Sequence, residues 1–162
     1  TYVGFLYAGL MITPTGEPKV IEYNCRFGDP ETQPIMMRLE SDLAELCLSA
    51  LAGSLDQQTA NWNKCPSIGI VLAAEGYPGD YKKGLAIKGL DLNNSAQCKV
   101  FHAGTALEGD TVVTAGGRVL CITATGENFD AARSLAYEAA RKIDWPGVQY
   151  RSDIGFRALG KL

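Results

Sequence analysis

Three side chains that could do chemistry stand at alternate positions within Val20–Gln33: Glu22, Asn24 and Arg26. Alternate residues of a strand point to the same face. Carboxylate and amide oxygens suit Mg²⁺, which keeps few protein ligands and takes the rest from water and substrate phosphates. The guanidinium of Arg26 offers a planar fork to phosphate or carboxylate oxygens. The spacing therefore predicts that these side chains form one side of a binding site for a cation and phosphate groups. The alternative is an edge strand whose polar residues face solvent.

Two further carboxylates, Asp29 and Glu31, follow directly in the turn-prone segment Phe27–Glu31. Because they adjoin Glu22, Asn24 and Arg26 in the sequence, we expect them to lie near the same site. Turn formation is the alternative, because Asp before Pro commonly initiates turns. Either acid could also form a salt bridge with Arg26, which would make that guanidinium structural.

The elements that must position these residues begin with the apolar run Tyr2–Ile12, which predicts a buried strand. Residues 13–18 contain Gly and Pro and are predicted to form a turn. Lys19–Cys25 then reads as the returning strand of a hairpin. The abrupt start at Thr1, one residue before a strand, favours a chain cut from a longer polypeptide.

A short helical start is expected near Glu31–Arg38, and a firmer helix follows Ser41, its predicted N-cap. Apolar residues then repeat at helical spacing up to a stop at Gly53. Residues 54–66 are polar and aperiodic. We therefore place a domain junction there, with domains 1–60 and 61–162.

The second region is rich in predicted strands and ends in one helix. Ser67–Ala74 is a continuous apolar run, and further strands are expected around Ile87 and at 99–102, 111–113 and 118–123. Asn128 is the predicted cap of a helix over Phe129–Ile143. Strands in succession with one late helix predict an α+β fold.

Composition excludes several classes of protein. Of the 162 residues 46% are hydrophobic and the net charge is −3, so nothing indicates a nucleic-acid surface. No apolar run approaches the ~20 residues that span a bilayer, and the first residues lack a basic-then-apolar pattern, so we expect no signal for secretion. The five cysteines are scattered without CxxC spacing, which favours structural thiols in a reducing compartment. We expect a cytoplasmic protein.

Two other features could belong to a site. The loop Gly76–Tyr81 could approach a substrate through its backbone, but it lacks a Walker pattern and a surface turn explains it equally well. His102 is the only histidine, and a hydrogen-bonded structural role is favoured over catalysis. One histidine without paired cysteines makes a zinc site improbable.

The run Glu22-x-Asn24-x-Arg26 resembles the last metal-binding strand of ATP-grasp ligases. Its continuation RFGDPETQ, from Arg26 to Gln33, resembles the signature of the glycinamide ribonucleotide synthetase family. The similarity extends over almost the whole chain but corresponds to about the last third of such an enzyme. Further stretches that carry it are GFLYAGLM (4–11), GYPGDY (76–81), VFHAGT (100–105) and GGRVL (116–120).

The resemblance implies the C-terminal part of an ATP-grasp domain followed by a small, mostly-β domain with one long helix. It implies that Glu22 and Asn24 hold Mg²⁺ (or Mn²⁺) against ATP phosphates and that Arg26 is catalytic. Asp29 and Glu31 would bind substrate. The implied substrates are ATP, glycine and 5-phosphoribosylamine, and the implied partner is the missing N-terminal part, without which no ligase activity is expected.

One departure from the ATP-grasp pattern concerns the cation. Related enzymes often place another acidic ligand about a dozen residues before the Glu, where this chain reads Ala8-Gly9-Leu10. Two other hypotheses remain: a non-catalytic binding or assembly module, and an ATP-grasp ligase of another acid and amine, such as a biotin carboxylase-like enzyme. The RFGDPETQ signature argues against the last.

Overall fold

The computed structural model describes residues 2–92 and 95–159. Its contacts divide the chain into two units, the first comprising the residues up to Thr32 with Leu39–Trp62, and the second Gln33–Arg38 with the chain from Asn63 onward. Antiparallel strands dominate and helices are few, which confirms the predicted α+β class. Among the described residues, no helix is long and apolar enough to cross a membrane.

The first unit is built on an antiparallel hairpin of β1 (Tyr7–Ile12) and β2 (Pro18–Asn24). The turn between the strands is closed by the Thr13 amide, which donates to the Glu17 carbonyl at 3.0 Å. The register shifts by one residue between Gly9 and Leu10, so β2 carries a bulge at this height. A bulge re-aims the side chains on either side of it.

The expected buried strand over Tyr2–Ile12 is wrong in two respects. The strand begins only at Tyr7, because the pairing with β2 begins there, whereas Phe5 stacks on the ring of Phe27 with centroids 3.8 Å apart. The apolar side chains of the hairpin are also solvent-exposed in the first unit. They include Leu10, Met11, Ile12, Val20, Ile21 and Tyr23.

Two helices follow the hairpin: α1 (Thr32–Met36), as expected, and α2 (Leu43–Leu51). The N-cap of α2 is Asp42, whose carboxylate accepts from the Ala44 and Glu45 amides, so the prediction of Ser41 is wrong by one residue. The Ser41 hydroxyl instead accepts from the Asn61 amide at 2.8 Å. A carboxylate is the better cap because it also meets the positive end of the helix dipole.

The second unit contains a three-stranded antiparallel sheet and a separate hairpin. The sheet has the order β3-β7-β4, and the hairpin pairs β5 with β6. The bounds are β3 (Ser67–Ala73), β4 (Cys98–His102), β5 (Thr105–Glu108), β6 (Thr111–Thr114) and β7 (Arg118–Thr125). As the central strand, β7 is buried on both faces, which the predicted alternation alone did not reveal.

The core of the second unit lies between this sheet and α3 (Phe129–Ala140). Ile70 and Leu72 of β3 face the helix side together with their partners Ile122 and Leu120 of β7, and all four are fully buried. The helix meets them with alanines, whose small side chains permit close approach. These are Ala132, Ala136, Ala139 and Ala140.

Three boundaries in the second unit differ from expectation. The last helix ends at Ala140 rather than Ile143, because the amides of Lys142 and Ile143 bond three residues back in a tightened turn. No strand forms at Ile87, where two isolated bridges take its place. The strand β5 was missed, since its four residues are mostly exposed and lack an apolar pattern.

The β5–β6 hairpin leaves the sheet where two glycines touch. The Gly104 carbonyl accepts from the amides of Ala115 and Gly116 at 2.7 and 3.0 Å. A Cβ on Gly104 would lie 2.6 Å from the Gly116 Cα, so no larger residue fits at this crossing. The two ends of the hairpin are therefore fastened to each other.

The predicted cap Asn128 is confirmed, because its side chain accepts from the Ala131 amide at 2.9 Å. We expect Asn128→Ala to lower the free energy of unfolding by about 1 kcal/mol, since a helix-end amide loses its partner. Asn128→Ser, which keeps an acceptor, should cost only a fraction of that. Urea denaturation of the two variants checks the difference, and equal losses would show that the cap is not the cause.

Candidate active site

The side chains of Glu22 and Asn24 lie on the same face of the first unit's hairpin. Strand pairing sets Asn24 opposite Tyr7 and Glu22 opposite Gly9, and directly opposed residues share a face. A Cβ on Gly9 would lie 3.2 Å from the Glu22 Cγ, so the bare glycine leaves room for the carboxylate side chain. Glu22 is exposed and Asn24 half-buried.

Arg26 also lies beside Asn24, but strand alternation does not place it there. The strand β2 ends at Asn24, and Arg26 lies in the bend beyond it. Its Nη1 donates to the Phe27 carbonyl at 2.8 Å, and its Nη2 lies 3.5 Å from Asn24 Oδ1. The guanidinium is therefore held beside the amide oxygen by the backbone of the bend.

The two turn carboxylates differ in their surroundings. Glu31 is half-buried, and its Oε1 accepts from the Tyr7 hydroxyl at 3.3 Å. Gly28 is buried against both groups, because a Cβ there would collide with the Glu31 carboxylate and lie 2.9 Å from the Tyr7 ring. Asp29 is exposed at the cis Asp29–Pro30 peptide.

Tyr7 is the residue that sequence reasoning missed. The negative charge of Glu31, above all, raises the pKa of the Tyr7 phenol, and desolvation, the hydrogen bond to Glu31 and the charge of Glu22 act in the same direction. Arg26 opposes them. Tyr7 therefore shares its electrostatic environment with three of the predicted site residues. The signal was its position opposite Asn24, which requires the hairpin register.

The donors on this face fit a hard divalent cation that is shared with a substrate. Glu22 and Asn24 supply side-chain oxygen atoms, and Gly9, opposite Glu22, has no side chain to add another. Within the described ranges, no group of three or more His, Cys, Asp or Glu side chains could hold a metal by itself. A site with two protein oxygens suits Mg²⁺, which commonly keeps waters and phosphate oxygens as its other ligands.

The loop Gly76–Tyr81 lines a cavity of about 470 Å³ within the second unit. Its shape is fixed by close packing: a Cβ on Gly76 would collide with the Asp80 carbonyl, and one on Gly117 with the ring of Tyr77. The cavity is also lined by Glu75, Lys82, Leu85 and Pro146. The loop is therefore an ordered feature.

His102 is exposed at the end of β4, with its Nδ1 3.0 Å from the Thr105 hydroxyl. This hydrogen bond joins the two ends of the connection between β4 and β5. It is the kind of structural contact that the sequence favoured for this histidine.

Comparison with known proteins defines the class. A family model for the phosphoribosylglycinamide synthetase ATP-grasp (A) domain matches residues 1–32. The fold also resembles the biotin carboxylase domain of the 2-oxoglutarate carboxylase of Hydrogenobacter thermophilus, with a TM-score of 0.62 at 17% identity over 88% of this chain and 32% of that one. The hairpin therefore lies in a part of the chain that matches an ATP-grasp domain model, whereas the 17%-identical structure shows a common fold only.

The particular family follows from the rest of the chain. The model for the phosphoribosylglycinamide synthetase C domain matches residues 67–157, and the chain belongs to this family, as its motifs indicated. It is 63% identical to the phosphoribosylamine–glycine ligase of Vibrio cholerae over 161 residues, which are 99% of this chain and 38% of that protein. The ligase of Pseudomonas syringae is 59% identical over 99% of this chain and 37% of its own length.

A solved structure agrees with these sequence matches. The crystal structure of the Thermotoga maritima phosphoribosylamine–glycine ligase aligns with a TM-score of 0.76 at 36% identity, covering 91% of this chain and 36% of that one. The chain therefore spans well under half the length of the relatives that it matches.

Proposed function

We propose that this chain contributes the last part of the nucleotide site, and a following domain, to a phosphoribosylamine–glycine ligase of purine biosynthesis. The observation that carries the proposal is the convergence of Glu22, Asn24 and Arg26. The first two share a face of the hairpin, and the guanidinium lies 3.5 Å from the amide oxygen. The family membership supplies the reaction.

In the proposed reaction, ATP phosphorylates the glycine carboxylate to give glycyl phosphate and ADP. The amine of 5-phosphoribosylamine then attacks the acyl carbon, phosphate leaves, and the amide of glycinamide ribonucleotide forms. A bound Mg²⁺ (or Mn²⁺) ion would neutralise phosphate oxygens. Glu22 and Asn24 would hold it, since their oxygens are the hard donors on this face.

The remaining roles belong to the groups beside the hairpin. Arg26 meets the charge that develops on the transferred phosphoryl group, the kind of interaction that usually dominates phosphoryl transfer. Asp29 and Glu31 recognise the amine or the hydroxyl groups of the substrates. Their support is position, because Glu31 contacts the tyrosine opposite Asn24 and Asp29 belongs to the same turn.

The proposal also covers domain organisation and location. We assign residues 1–60 to the C-terminal portion of an ATP-grasp domain and residues 61–162 to the C-terminal domain of the ligase. We assign a cytoplasmic location, which agrees with free thiols at all five cysteines.

The direct test is a graft of this chain in place of the matching 38% of the Vibrio cholerae ligase. We expect the grafted enzyme to release ADP only when both glycine and 5-phosphoribosylamine are present. The 162-residue chain alone should show no such turnover, because it spans little more than a third of the relatives. A coupled ADP assay measures both.

Two outcomes would contradict the proposal. A grafted enzyme that folds but releases no ADP would show that this chain does not complete the ligase site. Turnover by the isolated chain would show that these residues hold a whole active site of another kind. The unaltered Vibrio cholerae enzyme is the positive control.

A further inference from the structure

We infer that Tyr7 is a positioning residue that holds the Glu31 carboxylate ready to accept a hydrogen bond from a substrate amine. The inference rests on the ligase activity proposed above and deepens it, because it assigns a ligand chemistry to Glu31. No contact of Tyr7 with a reacting atom is required.

The first support is that the protein holds one oxygen of the Glu31 carboxylate and leaves room for the other. Tyr7 donates to Oε1 at 3.3 Å, and Oε2 occupies the space that a Cβ on Gly28 would need. The turn itself is fastened, because the Thr32 hydroxyl donates to the Gly28 carbonyl. The Thr32 amide donates to the same carbonyl at 3.2 Å.

The second support is the place of Tyr7 in the hairpin. Its strand position is opposite Asn24, and the next residue on its face is Gly9, opposite Glu22. A carboxylate hydrogen-bonded to Tyr7 is thereby tied to the strand that carries the proposed cation ligands. Pre-fixed geometry of this kind removes the rotamer entropy that a free glutamate would lose on binding.

The third support is the number of acceptor positions on the carboxylate. A carboxylate has several lone pairs that can accept hydrogen bonds, and the Tyr7 hydroxyl occupies one of them on Oε1. The remaining lone pairs of Glu31 can receive N–H donors.

Two substrates of the proposed reaction carry a primary amine, glycine and 5-phosphoribosylamine, and the chemistry that Glu31 recognises is common to both. The kinetic constants separate them. If Glu31 receives the glycine ammonium, weakening it raises the KM for glycine. If it receives the attacking amine, the KM for 5-phosphoribosylamine rises instead.

The test is Tyr7→Phe in the grafted enzyme, which removes only the hydroxyl. We expect kcat/KM for one of the two amine substrates to fall roughly tenfold, the effect of one hydrogen bond to a charged group. The KM for ATP should change by less than about twofold, because the hydrogen bond between Tyr7 and Glu31 is not expected to contact ATP. The matched control is Tyr23→Phe on the other strand of the hairpin, which pairs with Ala8 rather than Gly9 or Tyr7 and should leave all constants unchanged.

A double-mutant cycle decides whether Tyr7 acts through Glu31. Glu31→Gln should lower kcat/KM for the same substrate, and adding Tyr7→Phe should then change little, because coupled residues are non-additive. Independent additive losses, or a Tyr7→Phe enzyme identical to the unmodified graft, would overturn the inference. An unmodified graft without ligase activity would instead refute the proposed function, so the two failures are distinct.

Discussion

Glu22→Gln in the grafted enzyme is expected to reduce ligase turnover by roughly 10²- to 10³-fold or more, the scale on which loss of one electrostatic stabiliser of the transition state acts. The substitution keeps the shape of the side chain and removes its charge. Because Glu22 is exposed over Gly9, its loss should leave the fold intact. Asn24→Ala removes the second oxygen donor and should have a similar effect.

The matched control is Glu17→Gln, the same exchange at the turn of the same hairpin. Glu17 is exposed and pairs with Lys19 at 3.2 Å, far along the strand from the site end. Its replacement should leave turnover unchanged, since surface pairs contribute little. If turnover survived both Glu22→Gln and Asn24→Ala, the result would support the hypothesis that this chain is a non-catalytic binding or assembly module.

The largest expected loss of stability is for Leu72→Ala in the second unit. Leu72 is fully buried on β3, opposite Leu120 and against the helix side of the sheet. Removing a buried leucine costs about 2–5 kcal/mol, because transfer free energy is lost and a cavity remains. That is a large share of the roughly 5–15 kcal/mol that stabilises a typical domain.

Fluorescence can report this loss selectively. Trp145 is 1% exposed in the second unit and Trp62 is 45% exposed in the first, so a Trp62→Phe background leaves Trp145 as the reporter. Leu107→Ala on the exposed strand β5 is the control, and its unfolding midpoint in urea should hardly move. Equal midpoints for the two leucine variants would show that the sheet face is not the core.

Much of the fold was predictable because short-range physics decides it. The cap at Asn128, the helix after it and the apolar run Ser67–Ala74 follow from local chemistry and composition. What could not be predicted depends on partners. The strand limit at Tyr7 is set by pairing with β2, and burial of both faces of β7 by its central place in the sheet.

In the candidate site, too, some positions follow from local sequence and others depend on pairing partners. Glu22 and Asn24 were placed on one face by the period-two rule, and the register agrees. Arg26 lies beyond the strand, so its approach to Asn24 comes from the bend and not from alternation. Tyr7 and Gly9 enter only through the opposing strand, which a single stretch of sequence does not identify.

The crossing of Gly104 and Gly116 has a consequence for engineering. The Gly104 carbonyl joins the two ends of the β5–β6 hairpin by hydrogen bonds. Residues inserted at the tip of the hairpin would therefore not have to disturb the three-stranded sheet. Around the tip glycine, Gly109, a Cβ would meet no atom within 4 Å, so there is open space for a foreign segment. The entropic cost of closing a loop grows only slowly with its length, so a tag or a reporter domain can be inserted at this tip with little loss of stability.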